Sequence, residues 1–363
     1  GIGLLAPLLL EIPLTTVLFY GLIGLIVFDV GIGLAIYTFL PKDNLFHELD
    51  DKSREQKHLR NIFWGTFSLC VLIAIFTYIY TDLELLYVLA ISLSPMIYPG
   101  FVANRLEDKI IKRDKQFPVY ARVLGSAIEV RNGGVVSALK STQTHDFGVL
   151  EEMSISLYRR LRLGSDKFKS WYLFAVESSS NLISNFVKIF SESIYLGGNA
   201  EEVGEIISDN MQRLISLRKY RLQLVGSVRG AFYGSMIGLI ATVFVSSKIS
   251  ELLIDVFNQP NLSSDVTGLV DNILPQAANV SFEGVMFYIT LIIVVQALSA
   301  SWIMKGIDGG TPYAAVLDFL IMLWIGAALA YVLPEAVESL LPDLEGMFNE
   351  IGNNTADVET GLN

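Results

Sequence analysis

Long apolar runs with almost no charge decide what this chain can become. They cover about 14–40, 62–80, 85–103, 230–250, 284–304 and 313–333. A bilayer core takes roughly 20 consecutive apolar residues of helix, so each run is long enough to span. The chain is 52% hydrophobic and 17% charged, well below the roughly one-quarter charge of average soluble domains. Together these predict an all-α integral membrane protein with about six transmembrane helices. The opening "GIGLLAPLLL" is too short to span alone and is followed by Glu11-Ile12-Pro13, a polar break with a helix-disfavouring proline. It reads as an interfacial lead-in or as the tail of a span that begins earlier. No basic segment precedes it, so a cleavable signal peptide is not evident.

Basic residues are distributed very unevenly. Of 26 Lys and Arg, five lie in 42–60, nineteen in 104–229, and only Lys248 and Lys305 remain. Cytoplasmic segments near span ends carry the excess of Lys and Arg. The first loop and the large 104–229 segment are therefore expected in the cytoplasm, inserted between spans three and four. Spans two and three then form a hairpin through Thr81-Asp82-Leu83-Glu84. The loop 251–283 and the tail 334–363 fall outside; they hold twelve acids and no Lys or Arg. The net charge of −11 thus conceals a basic cytoplasmic body. Three N-x-[ST] sequons, at Asn261, Asn279 and Asn353, all fall in the outer segments and are candidate glycosylation sites.

This divides the chain into a membrane region 1–103, a cytoplasmic helical domain 104–229 and a second membrane region 230–333, followed by the acidic tail. Inside the domain, Phe117, Tyr120, Ala121, Leu124 and Ile128 recur at helical spacing, with Pro118 expected in the first turn of that helix. Asn132-Gly133-Gly134 ends it, and short helices follow over about 135–140, 149–163, 168–177 and 181–196. Ser178–Ser180 breaks the third from the fourth. The last helix runs from Ala200 toward the membrane, with Val203, Ile207, Met211, Leu214 and Leu217 as its apolar stripe. Short connections between amphipathic helices favour an antiparallel bundle.

The stretch "YLGGNAEEVGE" (195–205) resembles a phosphate loop only superficially. Gly197-Gly198 suits a helix end with a left-handed residue. Asn199 suits an N-cap with Glu202 three residues on. The acids in the first turns already occupy the positive end of the helix dipole, and neither a P-loop nor a dinucleotide fingerprint is present. A lone Cys70 cannot form an internal disulfide, and the scattered His47, His58 and His145 show no metal constellation. No cofactor is expected.

Several stretches resemble the cytoplasmic domain of archaellum (archaeal flagellum) platform proteins, within the type II secretion F-domain superfamily. They are "KQFPVYARVLGSAIEVRNGG" (115–134), "DFGVLEEMSISLYRRLRLG" (146–164), "KSWYLFAVESSSNLISNFVKIF" (169–190), "LGGNAEEVGEIISDN" (196–210) and "LRKYRLQL" (217–224). Three following spans, with "MKGIDGGTPYAAVLDF" (304–319) between the last two, also fit. The resemblance covers roughly 105–330. It departs at the start, because such proteins often carry a preceding cytoplasmic helical domain; either this is a short member or an N-terminal portion is absent. It implies a non-enzymatic, multi-pass cell-membrane platform for an archaellum or type IV pilus-like machine. Its implied partners are a cytoplasmic hexameric secretion or motor ATPase, filament subunits (archaellin or pilin), other motor-complex proteins and a second copy in a homodimer. No nucleic acid is implied.

Two basic clusters fit such a role. Arg159, Arg160 and Arg162 with Lys167 and Lys169 lie far from any span and are candidates for ATPase docking, although a charged helix face is often merely solvated. Arg218, Lys219 and Arg221 lie close to span four and read as membrane-proximal residues that meet anionic lipid headgroups. Two other functions compete. A transporter or channel would need paired, broken helices with midplane polar residues, whereas these spans are mostly unbroken. An intramembrane protease could draw on Asp29, Asp308 or Asp318, but the G-x-G-D motif of pilin-processing peptidases is absent. Gly234, Gly238, Ala297 and Ser301 suit close helix packing, at an internal or a subunit interface.

Overall fold

A computed structural model describes residues 14–39, 44–47, 49, 51, 53–81, 83–131, 134–257 and 282–340. The opening 1–13, the centre of the 251–283 loop, the tail from 341 and the sequons Asn261, Asn279 and Asn353 lie outside the described residues. Among the described residues the chain is helical, with a single isolated bridge between Phe46 and Ser180. The helices are α1 (Leu14–Phe39), α2 (Arg54–Tyr80), α3 (Leu85–Leu93), α4 (Ile97–Glu129), α5 (Val135–Thr142) and α6 (Glu151–Arg162). They continue as α7 (Lys167–Ser178), α8 (Asn181–Tyr195), α9 (Ala200–Phe257), α10 (Phe282–Asp308) and α11 (Pro312–Leu340). The protein is an all-α membrane protein.

Five helical stretches are long and apolar enough to cross a membrane: α2, α3 continued through a 3₁₀ turn into α4, α9, α10 and α11. Helix α1, 26 residues long, adds the shorter apolar stretch Phe19–Ala35. The membrane helices pack on small side chains. Ala297, Ala300 and Ala327 are buried where α10 and α11 meet, and a Cβ at Gly326 would lie 2.8 Å from Ile293 Cγ2. Apolar tails do not drive helices together in lipid, so close backbone approach must supply the attraction. Ala297 lies inside this cluster and Ser301 is buried, whereas Gly234 and Gly238 face open space.

The helical bundle has a different interior. Phe117, Tyr120, Trp171, Phe174 and Phe190 are almost fully buried, with Trp171 edge-on to both Phe174 and Phe190. Helices α4 and α9 form its spine, running antiparallel from Gly125 and Ala200 at one end to Asp114 and Arg218 at the other. Their backbones nearly touch: a Cβ at Gly204 would lie 2.7 Å from Ala121 O.

Neither spine helix breaks at 103/104 or 229/230, where the sequence divides the chain; each is one rod shared by bundle and membrane region. This corrects the placement of Pro118, which lies well inside the 33-residue α4 rather than in a first turn. A proline there supplies no N–H to the helical ladder, a cost of about 3 kcal/mol, opposed by the packing of α4 along α9. The stripe of α9 is also corrected. Ile207 and Met211 face inward, but Leu214 and Leu217 are exposed, and the buried line runs on to Arg218.

Candidate functional site

Two corners of the bundle are built from the same four-residue pattern. Leu163-Gly164-Ser165-Asp166 joins α6 to α7, and Leu196-Gly197-Gly198-Asn199 joins α8 to α9. In each, the glycine takes a positive φ, 80° at Gly164 and 89° at Gly197. The next residue's N–H then returns to the helix end: Ser165 N donates to Arg160 O at 3.1 Å and Gly198 N to Ser193 O at 2.9 Å. This is the six-to-one closure of a Schellman end. The fourth residue caps the next helix. Asp166 Oδ1 accepts from Lys169 N at 2.7 Å, and Asn199 Oδ1 accepts from Glu202 N at 3.0 Å. Glu202 does not reach back as in a capping box; Glu129 of α4 instead accepts from Ala200 N at 3.3 Å.

The corners stand side by side. Phe168 lies edge-on to Tyr195, with ring centroids 5.4 Å apart, and Lys167 Nζ sits 5.1 Å above the Tyr195 ring. Trp171 Nε1 donates to Tyr195 Oη at 3.3 Å, and burial raises the Tyr195 phenol above its ordinary pKa. Because a Schellman turn points its preceding residue outward here, Leu163 and Leu196 are 83% and 86% exposed. The two corners thus present the exposed leucines and a half-exposed Phe168, apolar side chains of the kind found at contact surfaces. Arg159, Arg162, Lys167 and Lys169 are exposed beside it, while Glu201 and Glu202 stand at the flank where α9 begins. Arg160 is different: it is half-buried and donates to Glu177, so it braces α6 against α7.

The second region is the junction between bundle and membrane helices. Here Arg218 is buried, and its Nη1 lies 2.6 Å from Asp114 Oδ2; Ser180 Oγ donates to the other oxygen of the same carboxylate. This corrects the reading of Arg218 as a headgroup-facing residue, since α9 turns it into the core. Lys219 remains exposed and Arg221 is half-buried. Further along, Lys305 Nζ lies 3.0 Å from Glu107 and 3.1 Å from Asp308, while Arg229 and Tyr233 both donate to Asp318. The loop before α2 clasps the assembly: Leu45 N donates to Gly309 O, Asn181 N to Leu45 O and His47 N to Ser179 O. His47 is buried, its Nε2 within 3.3 Å of Val176 O, and burial holds its pKa below 6.5 despite that bond. The serines 178–180, a mere helix break in the sequence, are fully buried. Ser179 adopts φ 59°, a left-handed conformation uncommon for serine, and donates to Ser53 Oγ at 2.8 Å.

The junction carboxylates had a legible signal. Extending the stripe of Phe117 and Tyr120 backward along α4 by helical steps lands on Asp114 and Glu107, acids on a buried face. The paired L-G-x-[DN] corners were equally visible as a repeat. Among the described residues no three His, Cys, Asp or Glu side chains stand together as a metal-binding group.

No family model matches the chain, and no solved structure matches it. Two curated proteins do. Flagella accessory protein J of Methanocaldococcus jannaschii is 29% identical over 350 residues, covering 93% of this chain and 61% of that protein. The protein of the same name from Methanococcus voltae is 28% identical over 348 residues, covering 93% and 62%. The archaellum resemblance read in 105–330 is thus borne out and extends over nearly the whole chain. The chain spans about three-fifths of the length of these relatives.

Proposed function

We propose that this chain acts as the membrane platform of an archaellum or related type IV pilus-like machine, without catalysis of its own. Its bundle faces the cytoplasm, docks a hexameric ATPase and passes motion to the filament base through α4 and α9. The observation that carries the platform reading is the similarity to Flagella accessory protein J along 93% of the chain. Two unbroken helices joining bundle to membrane support a mechanical role, because a packed rod moves as one body. For docking, the best-supported surface is the pair of L-G-x-[DN] corners. It combines exposed apolar side chains with Arg159, Arg162, Lys167 and Lys169, and suits a partner surface that is apolar at its centre and acidic at its rim. Arg160 is left out of the contact because Glu177 already engages it.

The test replaces Arg159, Arg162, Lys167 and Lys169 by Glu in the full chain, leaving Arg160 intact. The expected result is normal membrane insertion, loss of co-purification with the secretion ATPase and loss of filaments. Wild-type filament numbers together with undiminished ATPase co-purification would remove the corners from the docking site.

A further inference from the structure

Where the bundle meets the membrane helices, α4, α9 and the α10–α11 turn enclose a cavity of about 550 Å³. Its long wall is α9, which contributes Arg218, Arg221 and Arg229. The acids that share the cavity are mostly engaged. Glu107 accepts from Lys305 and from both the backbone and hydroxyl of Thr311. Asp308 accepts from Lys305, and Asp318 accepts from Arg229 and Tyr233. Asp108 is the exception and sits exposed at the rim. Arg229, which lines the cavity and is paired with Asp318 through its Nη2, keeps a buried Nε with no hydrogen-bond acceptor among the described residues. A buried guanidinium N–H left unpaired is costly, and it points to an oxygen acceptor supplied from outside the chain.

The cavity also changes character along its length. Arg218 and Asp108 lie at the end toward the bundle, while Tyr233, Leu317 and Ile321 line the end between the membrane helices α9 and α11. A free phosphate would satisfy the first end and leave the second empty. An amphiphile satisfies both. We propose that this cavity is the headgroup site of an anionic phospholipid in the leaflet facing the bundle. Its phosphate oxygens accept from Arg229 and Arg221, and its chains descend past Leu317 and Ile321. Arginine suits this role because its planar fork presents several N–H groups to phosphate oxygens at once. A lipid seated here would contact both spine helices and the α10–α11 turn, so its presence would fix how the bundle sits on the membrane. The inference does not depend on the platform reading, and its test needs no other component of a machine.

The full chain, purified in mild detergent, is titrated with phosphatidylglycerol, phosphatidylcholine or inorganic phosphate. Bound lipid is counted by native mass spectrometry and the melting temperature is followed. One phosphatidylglycerol is expected to bind per chain and raise the melting temperature. Phosphatidylcholine carries the same phosphate but offsets its charge with a quaternary ammonium, and should bind at least about tenfold more weakly. Arg229→Gln should weaken phosphatidylglycerol by a similar factor. Because Arg229→Gln also loosens the Asp318 pair, Ile321→Trp provides a second variant. It fills the apolar end without touching any ion pair, and should abolish lipid retention in a protein that melts normally. Equal binding of the two lipids, or phosphatidylglycerol binding unchanged in Ile321→Trp, would overturn the proposal. An equal melting shift from inorganic phosphate would overturn the lipid assignment in favour of a soluble phosphate.

Discussion

The largest fully buried rings lie in the bundle, whereas several large rings of the membrane region face outward. Trp171, Phe174 and Phe190 interlock in the bundle core, whereas Trp64, Trp302 and Tyr331 point outward and alanines fill the contacts between α10 and α11. The same residue types serve opposite positions because the solvents differ. In water, burying a ring removes much apolar surface and stabilises the fold. In lipid that gain vanishes, and the helices hold together by close packing. Both modes occur on the same two rods, since α4 and α9 pass through both regions. The boundary between them is closed by ion pairs instead: Asp114 with Arg218, Glu107 with Lys305 and Asp318 with Arg229.

Substitution of one residue type in both regions should break the symmetry most visibly. Trp171→Ala should destabilise the bundle by about 3–5 kcal/mol, whereas Trp64→Ala, on an outward face, should cost about 0.5 kcal/mol. Thermal unfolding of the purified variants measures both, and equal losses would contradict the contrast. The boundary comes next. Asp114→Ala removes the carboxylate that faces the buried Arg218 guanidinium and should cost about 3–5 kcal/mol, while Asp114→Leu combined with Arg218→Met should recover most of that loss. Limited proteolysis at the junction and thermal melting read the difference. If the double variant is no better than the single one, the pair's worth lies elsewhere than in mutual neutralisation.

Glycines give a finer comparison. Gly204→Ala would push a methyl into the α4 backbone and should cost about 1–3 kcal/mol. Gly234→Ala meets nothing within 4 Å and should change the stability of the isolated chain by no more than about 1 kcal/mol, in the stabilising direction. The smallest effect is expected at the clasp. His47 is held neutral, so its folded pKa lies below the unfolded 6.5. Its contribution is fully present above pH 6.5 and is lost as the pH falls through the folded value, where the unfolded chain binds the extra proton more readily. Protease cleavage in the loop before α2 should therefore accelerate on acidification from pH 7 to 5, and His47→Gln should flatten that dependence.

How much of this was legible depended on range along the chain. The α8–α9 corner could be read residue by residue, because Gly197 and Asn199 act within one turn of their own position. The placement of Pro118 could not, since whether a helix tolerates an interior proline depends on what packs along it. Arg218 read as a membrane-facing cation because, with Lys219 and Arg221, it lies close to span four. What places it in the core is Asp114, 104 residues earlier. The patch at the two corners was hidden for a similar reason, because Phe168 and Tyr195 meet only when α7 and α8 fold back on each other.

By itself the sequence determined the all-helical membrane character of the chain and the capped corners of the bundle. These follow from hydropathy, helical period and turn chemistry, which act over a few residues. Only the tertiary structure decided which partners the buried charges take, that α4 and α9 are continuous across the boundary, and that Ala297 packs inside while Gly234 faces out. Those outcomes depend on which partner arrives from a distant part of the chain, and composition and spacing carry no record of it.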